Sequence, residues 1–272
     1  MKKVIQKILG VIAITAWVGI VYIVVQKLLA LIIVGIFRPA VNTTALQTLY
    51  SMLCYIVSGA VIIFLPWGIV KLLKKTKWGQ KLLSKFKTKN EFKPDRDELG
   101  VIGWPTWIDL GLAPVGFVAY LLLANVIVSS FTHFSWFNLE EKQDVGYNTM
   151  IFGPERMLPL TVLVVVAPIV EEVIFRGYLY GKLKKCLGVR SNKNSSKKER
   201  RRSLILTAIA ILITSILFGV MHRQWNVGVN VFAMSIVLCL MREITGSIYA
   251  GIIMHMIKNA VAFYLLFVVG LG

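Results

Sequence analysis

The chain alternates between long apolar runs and short polar stretches. A bilayer span needs roughly 20 predominantly apolar residues. Seven stretches meet or approach that length: residues 8–37, 49–70, 107–131, 157–180, 204–221, 227–241 and 248–271. This pattern predicts an all-α, polytopic transmembrane bundle of about seven to eight helices, with residues 1–272 forming one integral membrane domain and no internal repeat. The first run is interrupted by Gln26 and Lys27, so it is either one long tilted helix or a span plus an interfacial turn. Met1, Lys2 and Lys3 ahead of an apolar run resemble a secretory signal. The run is too long for one and no small-residue cleavage site follows, which predicts an uncleaved first helix.

Composition agrees with a membrane protein. Hydrophobic residues make up 57% of the chain and charged ones 16%, against roughly a quarter charged in soluble domains. A net charge of +18 would suit nucleic acid, but its placement does not. Of 31 Lys and Arg residues, ten fall in residues 71–96 and ten in 182–202, both between apolar runs. An anionic cytoplasmic leaflet and the positive-inside bias produce such a distribution. The reading is therefore a multi-pass protein of the cell membrane with its N-terminus cytoplasmic, basic loops facing anionic lipid headgroups, and no nucleic-acid partner. Residues 132–156 then lie outside, where Lys142 and Arg156 are accompanied by Glu140, Glu141, Asp144 and Glu155. In the first basic loop Leu72, Leu73, Leu82, Leu83 and Phe86 alternate with lysines, as in an amphipathic helix lying on the leaflet or in a solvated topogenic loop. The second loop contains a Ser-Asn-Lys-Asn-Ser-Ser run and reads as flexible. Cys54, Cys186 and Cys239 are widely spaced and suggest neither a disulfide frame nor a zinc site.

Ionisable groups inside apolar spans mark function most directly, because each costs on the order of 3 kcal/mol there. The fourth span holds Glu171, Glu172 and Arg176. Glu172 and Arg176 are four apart and can pair along one helix face, whereas Glu171 points about 100° away and must find partners elsewhere. Pro168 frees a backbone carbonyl and bends the helix so that Glu171 faces an internal cavity. Read alone, these residues fit a buried ion pair fixing helix packing as well as a catalytic group. Of the three histidines, His133 lies in an interfacial stretch, while His222 and His255 belong to apolar segments. His255 and Asn259 are four apart and project from one face.

A carboxylate and a histidine converging on one water can deprotonate it, and two fixed donors opposite can hold the resulting oxyanion. That is the equipment for amide hydrolysis without a covalent intermediate. Neither HExxH nor GxSxG is present, and Asp109 has no transmembrane partner for an aspartate dyad. Zinc held by Glu171, His222 and His255 is a chemically possible second choice to a metal-free, cofactor-free site.

The segments EEVIFRG, FGVMH and GSIYAGIIMHMIKNA resemble the three signature motifs, EExxxR, FxxxH and HxxxN, of the CPBP intramembrane endopeptidases. That family includes the CAAX prenyl endopeptidases and the bacterial Abi or bacteriocin-immunity proteins. The resemblance covers roughly residues 157–263 and divides the chain into N-terminal helices with a basic loop (1–156) and a catalytic core (157–272). It implies that Glu171 and His222 activate the water, that His255 and Asn259 form the oxyanion site, that Glu172 and Arg176 support them, and that Phe218 packs. It implies a metal-independent endopeptidase acting on a membrane-associated peptide or protein. The same resemblance admits a non-proteolytic scaffold or bacteriocin self-immunity protein. A proton-relay transporter is disfavoured, since paired broken-helix halves are lacking.

One geometric condition follows. Glu171 and His255 both lie about ten residues from the basic end of their spans, a depth of roughly 15 Å. Counted from Ser203, His222 would lie roughly 28 Å deep. Either the fifth helix begins earlier, as a cytosolic extension carrying residues 197–202, or the membrane thins or the helix tilts strongly; the first is favoured, because Lys-Lys-Glu-Arg-Arg-Arg can be helical and solvated.

Overall fold

A computed structural model of the chain describes residues 2–37, 43–85, 92–135, 145, 147, 153–189 and 196–270. Among them are nine helices and no strand: α1 (Lys2–Phe37), α2 (Thr44–Leu73), α3 (Lys77–Lys85), α4 (Arg96–Leu99), α5 (Trp107–Phe131), α6 (Gly153–Leu187), α7 (Lys197–Met221), α8 (Trp225–Thr245) and α9 (Tyr249–Val269). All but α3 and α4 are long and apolar enough to cross a membrane. The large apolar side chains that cover the bundle, such as Leu31 and Ile36 of α1, Leu122 and Val126 of α5 and Leu212 of α7, are well exposed. A water-soluble protein would not display such a surface, whereas lipid requires it.

The spans match the hydropathy reading, with three refinements. The first is a single helix through Gln26 and Lys27, because the backbone of a membrane span satisfies its own hydrogen bonds across a polar step. The second basic stretch is largely helical: Lys182, Lys184 and Lys185 close α6, and residues 197–202 open α7. The Ser-Asn-Lys-Asn-Ser-Ser run read as flexible falls almost wholly in residues 190–195, which lie outside the described residues. Ser196 starts α7 with a capping box, its hydroxyl accepting from Glu199 N while the Glu199 carboxylate accepts from Ser196 N. The early start favoured by the depth of His222 is therefore present. In the first basic stretch a short helix forms at α3, carrying Leu82 and Leu83. Leu72 and Leu73 instead end α2, and Phe86 is not among the described residues. Glu140, Glu141, Lys142 and Asp144 are likewise outside them.

Helix α8 packs between α5 and α7, α9 packs on α5 and α8, and α6 packs on α7, α8 and α9, while α1 and α2 pair and close over α6. The end carrying both basic clusters is clamped by polar contacts around α4. Arg242 of α8 donates from Nη2 to the carbonyls of Asp97 (3.1 Å) and Glu98 (3.3 Å). Ile248 N donates to Gly100 O (3.0 Å), and Glu98 pairs with Lys182 (2.9 Å). Gly177 and Gly181 admit this approach: a Cβ on either would sit 2.9 Å from Leu99 O or 2.6 Å from Glu98 O. Asp109 completes the α5 capping box with Thr106 and accepts from Ser247 Oγ (2.8 Å), so its carboxylate serves helix ends.

Candidate active site

Helix α6 holds the acidic pair, and it is not a regular α-helix. It is π-helical over Thr161–Val166 and Val173–Leu179, with the α-helical Ala167–Glu172 between them. The first π stretch follows from Pro168 and a side chain on another helix. Ala167 N–H donates to Val162 O, five residues back. In that register Leu163 O would accept from residue 168, which as proline has no N–H. Asn259 of α9 fills the gap, its Nδ2 donating to Leu163 O at 2.8 Å. The carbonyl freed by Pro168 is therefore the point where α9 grips α6. Asn259 keeps a second N–H for other use.

Glu171 and Glu172 both point into the bundle, 7% and 0% exposed. Arg176, also 0% exposed, donates from Nη1 to Glu172 Oε1 at 2.9 Å, so the pairing expected from the i, i+4 spacing is present. The same oxygen lies 3.1 Å from His255 Nδ1. A carboxylate accepts only, so Nδ1 carries the proton there and the His255 Nε2 edge is turned toward Glu171, whose Oε2 is 3.7 Å away. That separation is too long for a direct hydrogen bond. It is short enough for one water to touch both atoms.

Glu171 draws its remaining partners from the N-terminal half. Tyr55 of α2 interacts with it through its hydroxyl, and Tyr22 of α1 lies within electrostatic range. Neither tyrosine stands out in the sequence, because a tyrosine in an apolar span carries no spacing signal. Gly251 of α9 makes room for Glu172; a Cβ there would be 3.1 Å from its Oε2.

His222 caps the end of α7. The chain turns at Arg223, whose φ of 62° is left-handed, and enters α8. The hairpin is tight because Gly219 and Gly228 face each other, a Cβ on either lying within 3 Å of the other's carbonyl oxygen. His222 folds back so that its Nδ1 meets Phe218 O at 2.8 Å. A carbonyl only accepts, which fixes the proton on Nδ1 and leaves Nε2 as an acceptor. Phe218 stands between the two histidines, its ring centroid 4.9 Å from that of His222 and 6.1 Å from that of His255. The Arg176 guanidinium lies 4.3 Å over the same ring. Phe218 is thus the packing hub of the cluster, and through it His222 reaches the other groups. His255 brings a ring nitrogen to 3.7 Å from Glu171, while the resemblance pairs Glu171 with His222.

All six sequence-predicted residues thus belong to one neighbourhood built from α6, α7 and α9. His133 ends up exposed just beyond α5, away from it. The described residues contain no group of three or more His, Cys, Asp or Glu placed to hold a metal ion. Lys258, between His255 and Asn259, is a further ionisable group in the span and within electrostatic range of Glu171. Its charge in an apolar run is a sequence signal that motif spacing alone passes over.

Residues 153–261 match the family model described as Type II CAAX prenyl endopeptidase Rce1-like. The matched segment contains all three motifs and every residue of the cluster contributed by α6, α7 and α9, and it bears out the kinship read from the motifs. No curated protein matches the chain, and no solved structure does.

Proposed function

We propose, from the premise that residues 153–261 belong with the type II CAAX prenyl endopeptidases, that the chain is an intramembrane endopeptidase in which Glu171 activates a water against a peptide carbonyl. The observation that carries this reading is the 3.7 Å approach of Glu171 Oε2 to His255 Nε2 in a buried site where Glu172 and Arg176 are already paired. The water gives its proton to Glu171 and its oxygen bonds to the carbonyl carbon. The His255 edge and the second Asn259 N–H then stabilise the oxyanion. Collapse breaks the C–N bond, and the proton held by Glu171 passes to the departing amine. His222, with Nε2 as an acceptor, assists the proton transfers.

Glu172 and Arg176 act through their neighbours. Glu172 holds the His255 ring by accepting from Nδ1, and Arg176 holds Glu172. No metal enters this scheme. The basic clusters support a cytoplasmic N-terminus, and the proposed substrate is a membrane-associated peptide or protein of CAAX type.

Substrate trapping tests the reading. Native membranes carrying Glu171→Ala should accumulate one or more prenylated, uncleaved C-termini that wild-type membranes lack, as read by mass spectrometry. Identical C-terminal profiles in wild-type and variant membranes would refute it. A phenotype unchanged by Glu171→Ala would favour a scaffold or immunity protein.

A further inference from the structure

Beyond the hydrolytic cluster lies a second polar site that the reaction does not use. Lys258 follows His255 by one turn of α9 and sits in an apolar helix. It makes no hydrogen bond or ion pair with any described residue. A lysine in an apolar span with no hydrogen bond or ion pair is costly, and such residues mark substrate or ion sites. Lys258 lines a cavity of about 350 Å³ with Tyr120 of α5 and Asn226 and Asn230 of α8, among otherwise apolar or aromatic residues. No carboxylate lines it. The Tyr120 hydroxyl donates to Asn230 Oδ1 at 2.5 Å, so what Asn230 has left to offer a ligand is its N–H donors. One cation and amide donors in an apolar cavity suit a single small anion carried on an apolar body.

Resting on the endopeptidase reading, we propose that Lys258 is a specificity residue that binds the free C-terminal carboxylate of the substrate, with Asn230 as its hydrogen-bonding companion. Position supports this. Lys258 is within electrostatic range of Glu171 and of His222, so an anion held there lies within reach of the field of the hydrolytic groups. Its Cα is three residues from that of His255, about 4.5 Å along the axis. Two or three extended residues span roughly 7–10 Å. A carboxylate on the lysine side chain would therefore place the scissile bond a fixed, short distance from the chain end. An amide or an internal peptide bond at the same place would leave the ammonium unpaired, a strong basis for rejection.

The test uses the full chain with Glu171→Gln, in phosphatidylcholine nanodiscs. The probe is a fluorescent, S-farnesylated peptide ending in cysteine, two aliphatic residues and methionine, prepared as free acid and as amide. The acid should bind about tenfold to a hundredfold more tightly than the amide. Adding Lys258→Met should bring that ratio to within about twofold, while Lys258→Arg, which keeps the charge, retains most of it. The ratio does not depend on the fraction of protein that is folded, so a poorly folding variant still reports. Equal affinity for acid and amide, no measurable binding of the acid, or a ratio unmoved by Lys258→Met would each overturn the proposal. Wild-type cleavage measured in parallel separates the two ideas. Cleavage without discrimination sinks only the role of Lys258. Discrimination without cleavage sinks the hydrolytic reading and leaves an anion site.

Discussion

Arg176 provides a sharp energetic test. It is fully buried, its Nη1 is 2.9 Å from Glu172 Oε1, and Glu172 is itself 0% exposed. Replacing Arg176 by Met keeps an apolar stem and removes the charge that lies over Phe218. Glu172 is then left in the bundle with only His255 for compensation. Breaking a buried pair from one side costs about 3–5 kcal/mol. Because His255 Nδ1 still reaches the same oxygen at 3.1 Å, the low end, about 3 kcal/mol, applies here. At about 2–4 °C per kcal/mol this is a drop of roughly 6–12 °C in unfolding midpoint. The protein supplies its own reporter: Cys54 and Cys239 are buried free thiols, so a thiol-reactive fluorogenic maleimide signals unfolding on heating. The double variant Glu172→Gln/Arg176→Met removes both charges and should recover most of the loss, giving a large coupling energy in the cycle. Activity stays low in the double variant, since His255 loses the Glu172 carboxylate that holds it. If Arg176→Met melts within about 2 °C of wild type, Arg176 is not the compensating charge for Glu172, and the electrostatic account of the site is wrong.

Other predictions rest on single contacts. Asn259→Ala leaves Leu163 O without a donor and should cost about 1–3 kcal/mol. In a Pro168→Ala background, where a backbone N–H is restored, the same change should cost clearly less, as read in the same thermal assay. Gly251→Ala puts a Cβ 3.1 Å from Glu172 Oε2 and should lower kcat by about tenfold with little change in KM, because the shift displaces the support of His255. Steady-state kinetics on a farnesylated peptide decide this, and an unchanged kcat would show that the position of Glu172 does not matter.

How far the sequence reaches depends on the kind of information required. The bounds of α5 are legible to the residue, because its run begins and ends at polar breaks that also carry the capping Thr106. The continuity of α1 is not, since hydropathy cannot distinguish a polar step within a helix from a turn. The Glu172–Arg176 pair is legible because both residues share one helix and a fixed spacing. The approach of His255 to Glu171 is tertiary, and depth arithmetic brings them only to the same level of the membrane. The bond from Asn259 to Leu163 O lies beyond sequence reading altogether. It depends on a π-helical register that arises when α6 meets α9, although Pro168 correctly signals a freed carbonyl. Tyr55 and Tyr22 are invisible for the same reason, being supplied by helices outside the motif-bearing segment.

The central claim is that the Glu171 carboxylate activates water for peptide hydrolysis within the bundle. Single-turnover cleavage of a farnesylated CAAX peptide by the reconstituted chain, wild type against the isosteric Glu171→Gln, tests it most directly. The account predicts release of a short C-terminal fragment by the wild type and a rate about 10³-fold or more lower for the variant, at an unchanged melting temperature. A variant that cleaves within tenfold of the wild-type rate would contradict it.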